Sequence, residues 1–135
     1  LTFLKGSRFY THSALATAPI ELVFTETGAN DPDFNLRREQ ALIQRVRDAG
    51  TRVFVSVLES HGEYNGSREF TIASASSVAD IERAVREDRE LLRIISRGGA
   101  ASTVALSFDA DPSEKQSLSL GDEVYEWTGL FKLFD

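Results

Sequence analysis

Residues 51–59 read Thr51-Arg52-Val53-Phe54-Val55-Ser56-Val57-Leu58-Glu59, and this stretch decides the fold class. Successive side chains of an extended chain alternate between faces. Val53, Val55 and Val57 therefore share one face, and Phe54, Ser56 and Leu58 the other. β-Branched and aromatic residues favour this conformation. Apolar content on both faces predicts a central strand covered from both sides. Downstream, residues 60–66 turn the chain, with Asn65-Gly66 as a type I′ signal. Residues 68–73 then return as the partner strand, with Phe70 and Ile72 on one face.

The same pattern recurs on either side. Residues 20–25 are rich in strand formers and run into the turn-rich Gly28-Ala29-Asn30-Asp31-Pro32-Asp33. Residues 91–96, a Gly98-Gly99 turn and residues 102–108 predict a second hairpin, and residues 123–134 supply one or two further strands. Two segments read differently. Residues 36–48 carry Leu36, Ile43 and Val46 among polar side chains, which admits a helix. Val78, Ile81, Val85, Leu92 and Ile95 lie on a 3.6-residue stripe, and Ser77 with Asp80 imitates a capping box. Local evidence alone thus predicts a helix over 77–89.

At 135 residues the chain suits one domain, 1–135, which buries about 68% of the surface of its unfolded form. It contains no Cys, which excludes disulfides, thiolate nucleophiles and Cys-based metal sites. Fifteen Lys and Arg stand against 21 Asp and Glu, a net charge of −6. Cations scattered among acids disfavour a nucleic-acid partner. No apolar run approaches about 18 residues, so no membrane insertion is expected. The first residues, Leu1-Thr2-Phe3-Leu4, read like the inside of a strand, and the chain is expected to be a fragment of a longer protein.

Three stretches together carry a resemblance. Glu21-Leu22-Val23-Phe24 leads into Gly28-Ala29-Asn30-Asp31-Pro32-Asp33-Phe34-Asn35-Leu36-Arg37, and Phe54-Val55-Ser56-Val57-Leu58-Glu59 leads into Ser60-His61-Gly62-Glu63-Tyr64. They resemble the C-terminal region of heparinase II/III-like polysaccharide lyases, nearest the oligoalginate lyases. The family's second motif usually reads Glu-Pro-His-Gly-x-Tyr, and Ser60 stands here in place of the Pro. That change alters loop stiffness and removes no titrating group. The match covers residues 21–73 well and the remainder by order only.

The resemblance implies an antiparallel β-sandwich, mainly β, that follows an α/α toroid absent from this chain. It also implies strand and turn over 77–95, against the local helix reading, and the resemblance is preferred. Its chemistry is β-elimination on uronate polymers, alginate first: a base takes the C5 proton and an acid protonates the leaving oxygen. Cationic or amide groups neutralise the carboxylate. The family draws those groups from the toroid and the first part of the sandwich, and no position here matches them. No catalytic residue is therefore assigned, and no cofactor or metal is expected. The implied partners are the upstream toroid of the same parent protein and an acidic polysaccharide, in a periplasmic or secreted setting.

Asn35, Arg37, His61 and Tyr64 are the candidate substrate-binding residues. Arg37 lies in the first motif beside Asn35, where its fork suits a uronate carboxylate; Arg38 and Arg45 are weaker versions of the same idea. His61 and Tyr64 lie three apart across a turn with Glu59 and Glu63. They read either as an acid/base pair or as a turn in which His61 caps backbone carbonyls and Tyr64 packs on the sheet edge. Tyr10 and His12 share a side if extended, as surface decoration. Asp31-x-Asp33-x-Asn35 imitates the start of a calcium loop, but Leu36 and Leu42 stand where Gly and Glu belong. Two alternatives remain. One is a free-standing carbohydrate-binding module with Trp127 and Tyr125 as its aromatic platform; the other is an interaction domain without a sugar ligand.

Overall fold

The computed structural model describes residues 1–28, 38–47, 50, 52–109 and 111–135. In chain order the strands are β1 (Thr2–Lys5), β2 (Arg8–Leu15), β3 (Glu21–Gly28), β4 (Arg38–Arg45), β5 (Val55–His61), β6 (Glu63–Asn65) and β7 (Phe70–Ile72). They continue as β8 (Val78–Arg86), β9 (Arg89–Ser96), β10 (Ala101–Ser107), β11 (Lys115–Leu120), β12 (Glu123–Thr128) and β13 (Phe131–Phe134). There is no helix among the described residues, and every strand pair given a register is antiparallel. The mainly β expectation holds. The chain divides into two compact units, Leu1–Ser13 with Ser56–Asp135, and Ala14–Val55.

The core of the first unit lies between two layers. One is a four-stranded sheet in the order β13-β10-β9-β8; the other is the β11–β12 hairpin. Leu91 and Ala105 face each other across β9 and β10 and are fully buried. Leu120 and Trp127 close on them from the hairpin, with Leu118, Tyr125 and Phe134 packed around the edge. Trp127 is 2% exposed, and its indole N–H donates to the Ser107 hydroxyl at 2.9 Å. This face-to-face packing of antiparallel layers is that of a β-sandwich. A further sheet in this unit has the order β1-β2-β5, and β6 pairs with β7. In the second unit β3 and β4 form a hairpin that sets Glu21 opposite Arg45.

The helix expected over 77–89 is not formed. β8 and β9 make a hairpin turning at Glu87, which holds a positive φ of 56°. The apolar stripe misled because Ile81 and Val85 are four apart, and that spacing keeps side chains on one face of a strand as well as of a helix. Ile81 pairs with Ile94 and Val85 with Glu90. Cross-strand ion pairs complete the choice. Arg83 grips the buried Glu90 through two N–H groups at 2.6 and 3.0 Å, and Arg93 reaches Glu82 at 3.2 Å. Ser77 caps nothing helical; it donates to Glu59. The helix admitted over 36–48 also gives way, since its described part is the strand β4, in which Val23 pairs with Ile43.

Two further expectations are corrected. The decisive strand, β5, ends the β1-β2-β5 order and is not central, with Leu58 64% exposed on its outer face. Apolar residues on both faces report what the chain can cover, not what this chain covers. Residues 70–72 pair with Glu63–Asn65 and not with the longer strand before them. The positive φ in that turn falls at Glu69, not Gly66, and the Asn65 side chain accepts from the Arg68 N–H at 3.1 Å. The Gly98-Gly99 hairpin forms as expected, with Gly99 at a positive φ of 84°.

Gln116 lies opposite Trp127 in the β11–β12 pair, and its buried Oε1 has no hydrogen-bond partner. A buried unpaired polar atom costs about 1–3 kcal/mol. Gln116→Met is therefore expected to raise stability by roughly 1 kcal/mol, and Leu91→Ala to lower it by about 2–5 kcal/mol. Urea midpoints measure both; an unchanged midpoint for Leu91→Ala would remove that residue from the core.

Candidate functional site

β5 alternates strictly. Val55, Val57, Glu59 and His61 turn inward, while Ser56, Leu58 and Ser60 are exposed. His61 Nδ1 lies 3.0 Å from the Ala73 carbonyl, which can only accept, so that nitrogen carries the proton. Nε2 lies 2.8 Å from the Thr11 hydroxyl, and Thr11 lies 2.7 Å from that of Thr2. The hydroxyls thus donate in series, Thr2 to Thr11 to the imidazole. Phe9 stacks on the ring with centroids 6.0 Å apart. Both ring nitrogens are occupied.

The chain can turn after His61 only with glycine. Gly62 has a positive φ of 54°, and a Cβ there would lie 2.2 Å from the Ala73 carbonyl oxygen. The same carbonyl receives the His61 proton, so the Gly and the His of the motif serve one close approach. The neighbouring Arg8 guanidinium donates to the Gly62 carbonyl at 3.3 Å.

Glu59 does not orient the imidazole. Its carboxylate accepts from the Ser76 hydroxyl at 2.5 Å, the Ser77 hydroxyl at 2.5 Å and the Ser77 N–H at 3.0 Å. Partial burial works against its ionisation. The hydrogen bonds from Ser76 and Ser77, aided by His61, outweigh that penalty and hold the carboxyl at about 2, below its ordinary 4.5. Tyr64 is the middle residue of β6, opposite Thr71, and its N–H donates to the Ser7 carbonyl at 2.8 Å. His61 and Tyr64 thus belong to successive strands, with no hydrogen bond joining their side chains. The sequence reading missed Thr2, Thr11, Ser76 and Ser77. The one signal for them was the Glu59-x-His61 spacing, which places both side chains on one face.

Asn35 and Arg37 lie outside the described residues, as does the Asp31-x-Asp33-x-Asn35 run. Arg38 is exposed at the start of β4 opposite Gly28. Arg45 is committed: with Arg47 it clamps Glu21, Arg45 Nε donating at 2.8 Å. Arg47 first, then Arg45, holds the Glu21 carboxyl below its usual range. Trp127 cannot be a sugar platform, because it is the core tryptophan. Tyr125 turns inward as well, where Arg93 donates to its hydroxyl at 2.6 Å and that hydroxyl bonds Glu123.

No family model matches the chain. Two curated relatives do. An alginate lyase of Stenotrophomonas maltophilia is 38% identical over 129 residues, covering 96% of this chain and 17% of that protein. An exo-oligoalginate lyase of Saccharophagus degradans is 35% identical over 131 residues, covering 95% of this chain and 18% of that protein. The chain is a relative of one region of the alginate lyases. It spans less than a fifth of the length of either. The likeness runs along almost the whole chain, beyond the residues 21–73 that carried the resemblance.

The depressed Glu59 carboxyl has a consequence for stability. A carboxylate ionised more readily in the folded state stabilises that state above its unfolded value and loses the contribution as it protonates. The contribution is complete above about 4.5 and lost as pH falls towards about 2. Glu59→Gln is expected to flatten the stability curve in that window, read by urea unfolding at stepped pH. Superimposable acid limbs for the two proteins would contradict the Ser76–Ser77 clamp.

Proposed function

We propose that this chain is the C-terminal, non-catalytic β-sandwich portion of a heparinase II/III-like polysaccharide lyase that cleaves uronate polymers, alginate first. The observation that carries this reading is the pair of alginate-lyase relatives, matched over nearly all of this chain and under a fifth of their own length. In the parent enzyme, elimination removes the C5 proton, breaks the bond to the leaving oxygen and forms a carbon–carbon double bond. The base, the acid and the carboxylate-neutralising groups come from the upstream toroid and the first part of the sandwich, in a periplasmic or secreted enzyme.

The disposition of the local groups supports a structural role. His61 has both nitrogens engaged, Glu59 is held by three donors, and the Tyr125 hydroxyl sits among Arg93 and Glu123. A general base needs a lone pair free to face the substrate. The outer face of the four-stranded sheet supports it too. Phe131 pairs with Leu106 and Leu133 with Val104, and Phe131, Leu133 and Val85 are 72%, 58% and 51% exposed. An apolar face of this kind suits contact with further polypeptide of the same parent.

Incubated alone with alginate, heparin or hyaluronan, the chain is expected to give no rise in the ultraviolet absorbance of the unsaturated product. A sustained, protein-dependent rise with any of the three polymers would overturn the non-catalytic role.

A further inference from the structure

We infer that the outward face of the β1-β2-β5 sheet binds an anionic sugar chain, with the exposed ring of Phe3, backed by Tyr10, as its apolar contact and Lys5 and Arg8 as carboxylate partners. The register sets Phe3 opposite Tyr10 and Lys5 opposite Arg8, so these four side chains share one face. The rings lie 5.5 Å apart with their planes 16° from parallel, and Phe3 is 42% exposed. On the other face Thr2, Thr11 and His61 are engaged with one another and Phe9 stacks on His61, with Leu4 beside them 45% exposed.

Charge distinguishes this face from the rest of the chain. The molecule carries a net −6. Yet the only carboxylate on the three strands is Glu59, which points inward to Ser76 and Ser77. The next acid along the chain, Glu63, starts β6. Like charges set directly opposite each other on neighbouring strands are destabilising. A second hairpin makes the same pairing, Arg86 opposite Arg89, and supplies Asp88 at 3.5 Å from Arg89. Lys5 and Arg8 form no ion pair among the described residues. One Arg8 N–H donates to the Gly62 carbonyl at 3.3 Å, which fixes the guanidinium and leaves other donors outward.

An anionic sugar satisfies both halves of the face. The C–H side of a pyranose ring is apolar and lies flat on aromatic rings, while its carboxylate takes bidentate hydrogen bonds from a guanidinium. A polyphosphate would meet the same cations but has no apolar ring face to lie against Phe3 and Tyr10. The choice of a uronate rests on the lyase reading above, and the two fail separately. Product formation by the chain overturns that reading and leaves the face standing; failure to bind alginate does the reverse.

The test is native electrophoresis of the 135-residue chain through gels of increasing alginate content, with dextran as neutral control. The expected result is retardation by alginate only, weakening with added salt. Lys5→Gln with Arg8→Gln is expected to lose roughly tenfold in affinity, about 1.4 kcal/mol. Phe3→Ala loses affinity at unchanged charge, and Arg86→Gln binds as the parent does. All four positions carry exposed side chains, and circular dichroism verifies each fold. Unretarded migration in alginate overturns the inference. So does equal retardation in dextran, unchanged binding by the Lys5/Arg8 variant, or retardation by heparin without retardation by alginate.

Discussion

Burying the one tryptophan is the constraint from which the larger unit follows. An indole taken out of water must keep its N–H bonded. Trp127 meets that condition only where β10 presents the Ser107 hydroxyl beside the buried Leu91 and Ala105. That single geometry fixes which face of β12 points inward. It also seats Tyr125 in the Arg93–Glu123 network and sets the opposing Gln116 in the core. The polar contacts around it select register more than they add stability, since exposed members of such networks are worth little.

How much of this was legible in the residues depends on the range of the interaction concerned. Alternation and the Gly98-Gly99 turn are local properties, and both led to strands, although the first strand starts at Val55 and leaves Val53 and Phe54 outside it. The β8–β9 hairpin was illegible locally because Ile81 and Val85 fit either period. Arg83 with Glu90 and Arg93 with Glu82 resolve the ambiguity, and those pairings exist only once two strands meet. Trp127 and Tyr125 alternate as a surface platform would. Alternation shows that two rings share a face without showing which face is covered. At the candidate site, the His61–Gly62–Tyr64 spacing was readable. The partners that hold it, Thr11, Ala73, Ser76 and Ser77, come from sequence separations of 12 to 50 residues and carry no local mark.

The two faces of the β1-β2-β5 sheet divide the labour. Inside, a Thr–Thr–His chain and a serine-clamped carboxylate hold the motif residues in place. Outside, a ring pair and two cations stand without acids of their own strands. Glu59, His61 and Tyr125 are each held by hydrogen bonds within the chain, while Phe3, Lys5 and Arg8 stand exposed. The adjacent His61 and Gly62 share one close backbone approach, at the Ala73 carbonyl.

The two-layer core closes on Trp127, and as the chain has a single tryptophan its fluorescence isolates that position. Emission from the folded chain is expected to be blue-shifted, resistant to quenching by acrylamide, and to move red with full quenching on unfolding in urea. Emission already red and freely quenched in the native chain would contradict the two-layer core.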